Sequence, residues 1–194
     1  MIERLAEGLV SWQIKRNYIP LEEQNLYRYG FELLIAQAVN LLIACFLAII
    51  FHEYLTISIF LLSFIPLRSF SGGHHADNYQ VCTALSALML CIACVMVKII
   101  PDEMIFAADL LFCGVCGISV FAFAPVGTDN KPLDEKEKRR YGKCSRIIWG
   151  IEAVGWIICY GTQAKRASLA VTLGHLAVFV LLHVGIMKNK KLKK

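Results

Sequence analysis

The chain has 194 residues, 57% hydrophobic and only 18% charged, with a formal net charge of +5. A soluble domain of this size is nearer half apolar and a quarter charged; here the apolar excess gathers into long runs parted by charged stretches, as in a protein whose solvent is lipid. The basic residues sit at the edges of those runs, as topology determinants do, which argues for lipid and against nucleic acid as a partner.

The length suits one domain, 1–194, read as an N-terminal segment (1–30), a transmembrane bundle (31–187) and a basic tail (188–194). Residues 2–14 place Ile2, Leu5, Ala6, Leu9, Val10 and Ile14 on one helical face, opposite Glu3, Arg4, Glu7 and Ser11. That pattern suits a helix lying on the membrane surface or one packed on the protein's own loops. No apolar h-region precedes Phe31, so the first span is expected to act as the insertion signal.

Six apolar segments follow, which predicts an all-α, polytopic fold. Phe31–Phe51 is long enough to span. Tyr54–Leu67, about 21 Å as a helix, is expected to end at Pro66 and to be a thin or partial span. Val81–Ile100 carries Lys98 near its end, where it can snorkel. Met104–Ala124 contains Asp109, Ile147–Gly161 contains Glu152, and Ala167–Met187 contains His175 and His183. If all six cross with the N-terminus inside, residues 1–30, 68–80, 125–146 and 188–194 are cytoplasmic and hold 17 of the 20 Lys and Arg. This split places both termini in the cytoplasm.

Between the second and third segments runs Arg68-Ser69-Phe70-Ser71-Gly72-Gly73-His74-His75-Ala76-Asp77-Asn78-Tyr79-Gln80-Val81-Cys82. A Gly-Gly pair lets backbone turn sharply or approach a substrate closely. A thiol peptidase needs a thiolate nucleophile and an imidazole that takes its proton and later returns it to the leaving amine. The start of a helix adds a partial positive charge that favours thiolate. Spacing alone does not select this chemistry, because a membrane cysteine is most often a small packing residue and a boundary histidine is most often solvated.

The same run, with Arg68, Gly72-Gly73-His74-His75-Ala76 and Cys82, resembles the signature of AgrB, the accessory gene regulator B peptidases of bacterial quorum sensing. Tyr29-Gly30-Phe31-Glu32, Ala124-Pro125-Val126 and Asn130-Lys131-Pro132-Leu133 are similar to further elements of that family. The resemblance implies a membrane cysteine endopeptidase of the bacterial cytoplasmic membrane, requiring no cofactor. Its substrate would be an AgrD-like precursor peptide, cut on the C-terminal side of its ring-forming core. Cys82 would match the nucleophile and His75 the base, with Arg68, Gly72 and Gly73 in support; His74 holds the variable position. Asp77 is a candidate to orient the imidazole, though it matches no family requirement. The resemblance also suggests a homodimer. Lys138, Arg139 and Arg140, in the basic stretch 131–146, are candidates to dock an acidic precursor tail; contact with anionic lipid is the plainer reading.

Two patterns compete for attention. Cys91-x-x-Cys94 and Cys113-x-x-Cys116 have the spacing of a zinc site, but both pairs lie inside apolar spans and read as helix packing, with no metal expected. Asp109, Glu152, His175 and His183 are intramembrane ionisable groups, functional candidates by default. They support the rival reading, a small transporter or channel; interhelical hydrogen bonding is the reading preferred for them.

Overall fold

The computed structural model describes residues 2–72, 79–127 and 134–192. They form α1 (Ile2–Lys15), a 3-10 turn (Leu21–Glu23), α2 (Gln24–Phe51), α3 (Tyr54–Ser71), α4 (Tyr79–Ile99), α5 (Ile105–Phe123), α6 (Glu135–Gly161) and α7 (Lys165–Leu192). Left-handed residues close three of these helices: Asn17 after α1, His52 after α2 and Gln163 after α6. The His52 amide donates back to the carbonyls of Ala48 and Ile49, satisfying acceptors that the last turn leaves open. At the start of α6, the Glu137 amide donates to the Asp134 carboxylate at 2.6 Å and the Asp134 amide to Glu137 at 3.2 Å, a reciprocal cap.

Among the described residues, five helices are long and apolar enough to cross a membrane: Leu21–Phe51, Tyr54–Ser71, Gln80–Ile99, Ile105–Phe123 and Lys165–Lys188. The chain is a helical, multi-pass membrane protein. The predicted fifth segment, 147–161, is the second half of α6, whose first turns are highly charged; by composition it does not join the five.

The second segment was expected to stop at Pro66. Instead α3 carries Pro66 inside it and continues to Ser71, an 18-residue helix. At about 1.5 Å per residue it reaches ~27 Å, close to the hydrocarbon thickness. A proline inside a membrane helix frees the carbonyl four residues before it, here that of Leu62, and membrane helices tolerate this because neighbouring groups can re-satisfy the freed carbonyl. At the N-terminus, α1 packs along α2 rather than on loops. Ala6 and Val10 are buried against it, while Leu5, Leu9 and Trp12 stay exposed, and Arg28 reaches Glu7 at 3.3 Å.

Helix α7 is the centre of the bundle, packing on α3, α4, α5 and α6. Of its most apolar stretch 61% is buried, against 11% in α2, most of which is left exposed in this chain. Lipid gives no hydrophobic drive between helices, so small residues and interhelical hydrogen bonds hold them. Gly174 of α7 meets Ser63 of α3 so closely that a Cβ there would strike the serine side chain. The Ser63 hydroxyl donates across the contact to the Val171 carbonyl at 3.2 Å. Ser168 and Thr172 donate to the buried Asp109 carboxylate at 2.7 and 2.6 Å. His175 Nε2 lies 2.9 Å from Glu152 Oε2. Each pair joins two helices, in keeping with the hydrogen-bonding reading of Asp109, Glu152 and His175; His183 instead bonds the Phe179 carbonyl of its own helix.

Contacts at the two ends fix the course of the chain. At one end lie the α3–α4 and α5–α6 connections, joined by a backbone bridge between Gly72 and Val126. At the other, Lys98 donates to the Phe51 carbonyl at 2.7 Å, as its snorkelling position suggested. Arg166 donates to the Val97 carbonyl there and pairs with Asp102 at 2.8 Å. Helix α6 starts at the first end, where Tyr141 meets Phe70, and finishes at the second, where Tyr160 meets Phe106. Helix α7 returns, placing His183 beside Phe123. The chain therefore begins and finishes at the end that holds the Gly72–Val126 bridge.

Candidate functional site

At that same end a cavity of about 670 Å³ opens between α2, α3 and α4, a volume typical of ligand sites. Each helix contributes one stripe. Leu34, Gln37, Ala38 and Leu41 come from α2; Leu61, Phe64, Ile65 and Arg68 from α3; Cys82, Leu85, Ser86 and Met89 from α4. These are the i, i+3, i+4, i+7 positions that share a helical face. Pro125, Val126, Gly127 and Tyr141 close the mouth.

Cys82 lies in the first turn of α4, half-buried and unpaired. The sequence expectation that this cysteine opens a helix is met. Arg68 lines the same cavity, and its guanidinium is near enough for its charge to act on the Cys82 sulfur. Arg68 also donates to the Gly72 carbonyl, capping the end of α3. Thus two predicted supporting residues, Arg68 and Gly72, come together with the predicted nucleophile.

Gly72 is demanded twice over. Its backbone, φ 71° and ψ −147°, is in a region that residues with a side chain avoid. A Cβ built on it would also strike the Val126 carbonyl oxygen. The close approach lets the Val126 amide donate to the Ser71 carbonyl at 2.9 Å. Gly72 ends α3 with this non-helical backbone, so α3 and α4 are separate helices. Gly73, His74, His75 and Asp77 lie outside the described residues, as does the Asn130–Leu133 stretch.

Lys138, Arg139 and Arg140 are exposed on the first turns of α6. Lys138 pairs with Glu135 at 2.8 Å. The packing of Gly142 against Pro125 and of Tyr141 against Phe70 seats this basic segment beside the cavity mouth. Asp109, Glu152, His175 and His183 do not line the cavity. The two Cys-x-x-Cys pairs are unpaired thiols, and Cys94, Cys113 and Cys116 belong to apolar clusters. No group of three or more His, Cys, Asp or Glu able to hold a metal ion occurs among the described residues.

Sequence reading missed Gln37, Asn40, Ser86 and Tyr141, all on the cavity wall. The signal was present: Gln37 and Asn40 are the polar residues within Phe31–Phe51 after Glu32, three apart on one face.

The family model described as "Accessory gene regulator B" matches residues 2–187. A protein of Clostridium perfringens strain SM101 named "Putative AgrB-like protein" is 31% identical over 190 residues, 90% of this chain and 87% of its own. One of the same name from Listeria monocytogenes serovar 1/2a is 29% identical over 196 residues, covering 99% and 90%. Another, from Lactiplantibacillus plantarum, is 23% identical over 151 residues, covering 76% and 74%. No solved structure matches the chain.

Proposed function

Since the chain belongs to the accessory gene regulator B family, we propose that it is a membrane-embedded cysteine endopeptidase that cuts an AgrD-like precursor on the C-terminal side of its core and promotes thiolactone closure. One observation carries the reading: Cys82 stands in the first turn of α4 on the wall of a peptide-sized cavity, beside Arg68, where the segment bearing His75 begins.

In this mechanism His75 takes the thiol proton as the Cys82 sulfur attacks the scissile carbonyl. The C–N bond then breaks, and the proton passes to the departing amine of the precursor's tail. What remains is a thioester between Cys82 and the peptide core. A thiol within the peptide attacks that thioester, Cys82 leaves and recovers its proton, and a ring closes. One thioester replaces another, so the exchange runs near equilibrium. The apolar walls of the cavity keep water from the intermediate, and holding the peptide in place raises the effective concentration of its own thiol. Co-expression with an AgrD-like precursor, followed by mass spectrometry, tests the reading. A precursor that has lost the tail beyond its core is expected; an intact precursor overturns it.

The membrane arrangement in this proposal has six crossings, with both termini and the Cys82 site in the cytoplasm. An odd number of crossings would part the chain ends, whereas here they share one end of the bundle. The distribution of Lys and Arg selects the cytoplasm for that end. An impermeant maleimide should label Glu135→Cys only from inside and Glu103→Cys only from outside; labelling of position 135 from outside would exclude this topology.

Lys138, Arg139 and Arg140 complete the proposal as a docking face for an acidic precursor tail. Neutralising all three should raise KM with little change in kcat, and the difference should fade as salt is added, because exposed charges attract over ~8 Å at physiological ionic strength. Cleavage measured in vesicles against salt checks this. If the inserted triple variant handles acidic and neutralised tails as the parent does at every salt concentration, the docking role is wrong.

A further inference from the structure

The three stripes that face the Cys82 cavity fall into layers. Helices α2 and α4 lead away from the mouth to the far end, where Lys98 meets Phe51, and α3 leads back toward the mouth. Residues three or four apart on each therefore differ in depth by about one turn, ~5 Å. Leu34, Arg68 and Cys82 form the upper layer. One turn below stand Ala38, Phe64 and Leu85, with Gln37 and Ser86 beside them; two turns below stand Leu41, Leu61 and Met89. Phe60 and Leu90, both buried, close the bottom. Below Arg68 no charged residue lines the space. Ala38 is exposed, and Leu61, Phe64 and Met89 are partly exposed, so a ligand can touch each of them.

After the first step of thiol catalysis, the acyl part of a substrate stays bonded to the cysteine and the amine part departs. The departing part needs a way out, and the closed bottom offers none. The part that stays is therefore the part that points down. The residue immediately before the cut carries its side chain beside the thioester, so that side chain enters the apolar layers, while residues after the cut remain at the mouth. Burying a large apolar side chain is favourable in proportion to the area it removes from water. Burying a carboxylate there without a partner is heavily penalised. Shape adds to chemistry, because Ala38 leaves a notch in the α2 wall between Leu34 and Leu41 that a longer side chain would fill.

We propose that the layers below Cys82 form a specificity pocket for the side chain of the residue immediately before the cut, accepting a large apolar one such as that of Leu, Met or Phe and rejecting a charged one. Ala38 sets the room available, and Leu61 and Met89 form the floor. The occupant is the precursor core, because the pocket begins directly beneath the proposed nucleophile. This inference rests on the peptidase reading above. It adds to that reading a substrate preference, set by three residues outside the signature stretch 68–82.

Parent protein in vesicles, supplied with AgrD-like precursors that carry Phe, Ala or Asp immediately before the cut, tests the pocket. The value of kcat/KM should fall about 10- to 100-fold from Phe to Ala, the effect of withdrawing one large apolar side chain from burial. It should fall further for Asp. Ala38→Phe fills the notch, so its preference for Phe over Ala should shrink by about tenfold or more. Met89→Ala deepens the floor, so its preference for Trp over Phe should rise several-fold. Each preference is a ratio within one preparation, so any loss of folded protein cancels. Val154→Phe, on an exposed face of α6 away from the cavity, should keep the parent's ratios. Equal cleavage of the three precursors by the parent overturns the inference, and so does an Ala38→Phe variant that keeps the parent's preference. A parent that cuts none of them through Cys82 removes the peptidase reading first, and this inference with it; Cys82-dependent cutting without preference removes the pocket alone.

Discussion

Cys82→Ser should abolish precursor cleavage while leaving the protein inserted and folded. A hydroxyl is a far weaker acid than a thiol, and a single imidazole does not make it an effective nucleophile. The loss should be on the order of 10⁴-fold or more, as when the nucleophile of a catalytic dyad is removed. The substitution is nearly isosteric at a half-buried site, so abundance in the membrane should be unchanged. His75→Ala should fall as far, for want of a base, whereas His74→Ala should lose much less. Mass spectrometry of the co-expressed precursor measures all three. Cleavage by Cys82→Ser at the parent's rate would remove the proposed chemistry altogether.

The second large effect is expected at a backbone position on the cavity wall. Gly72→Ala would place a methyl group where the Val126 carbonyl oxygen stands, at a backbone geometry that alanine does not favour. The backbone strain alone costs about 1–3 kcal/mol. The cheapest relief is for the connection after α3 to peel away from Val126, taking with it the Gly72 carbonyl that Arg68 holds. A displacement of ~1 Å at catalytic groups costs roughly 10²-fold, so cleavage should drop by about that factor. The thermal midpoint should fall by no more than several degrees, since about 1 kcal/mol moves a chain of this size by roughly 2–4 °C, and Val126 stays packed on the Leu67, Val120 and Leu182 cluster. Val126→Ala is the control: the contact is through main chain, so this variant should stay within about threefold of the parent. Were Gly72→Ala to cleave as the parent does, the Gly72–Val126 pairing would not be what positions the segment carrying His75.

The sequence displays local properties and conceals those that arise between helices. Cys82 at a helix start was legible because the apolar run and the glycines before it are adjacent in the chain. Five of the six apolar segments reappear as helices fit to span, with small shifts of boundary. The exceptions have physical reasons. Pro66 reads as a stop signal by its missing N–H, but membrane helices accommodate proline, and α3 runs on to Ser71. The start of α6 was hidden among charges, although Asp134-x-x-Glu137 is a capping pattern readable by eye. Arg68, Gly72 and Cys82 were grouped by a motif, yet the partner that makes Gly72 indispensable, Val126, lies far along the chain. Asn40 is hard to see because hydrophobic length dominates its run, and one amide scarcely alters it.

The apolar cluster around Leu90, Ala93, Cys94, Leu169 and Leu173 fills the half of the bundle remote from Cys82. Phe60 and Leu90 belong to both the cluster and the cavity wall, so the cavity ends where the packing begins. It is a cul-de-sac rather than a corridor. Below it, the Lys98 and Arg166 bonds fasten the far ends of α2, α4 and α7 together. On the proposed peptidase reading, a peptide matured at Cys82 would back out through the mouth by which it came in, or slip sideways past α2. Work of moving it to the other face of the membrane would fall to a separate machine, and the enzyme would keep its barrier intact through every turnover.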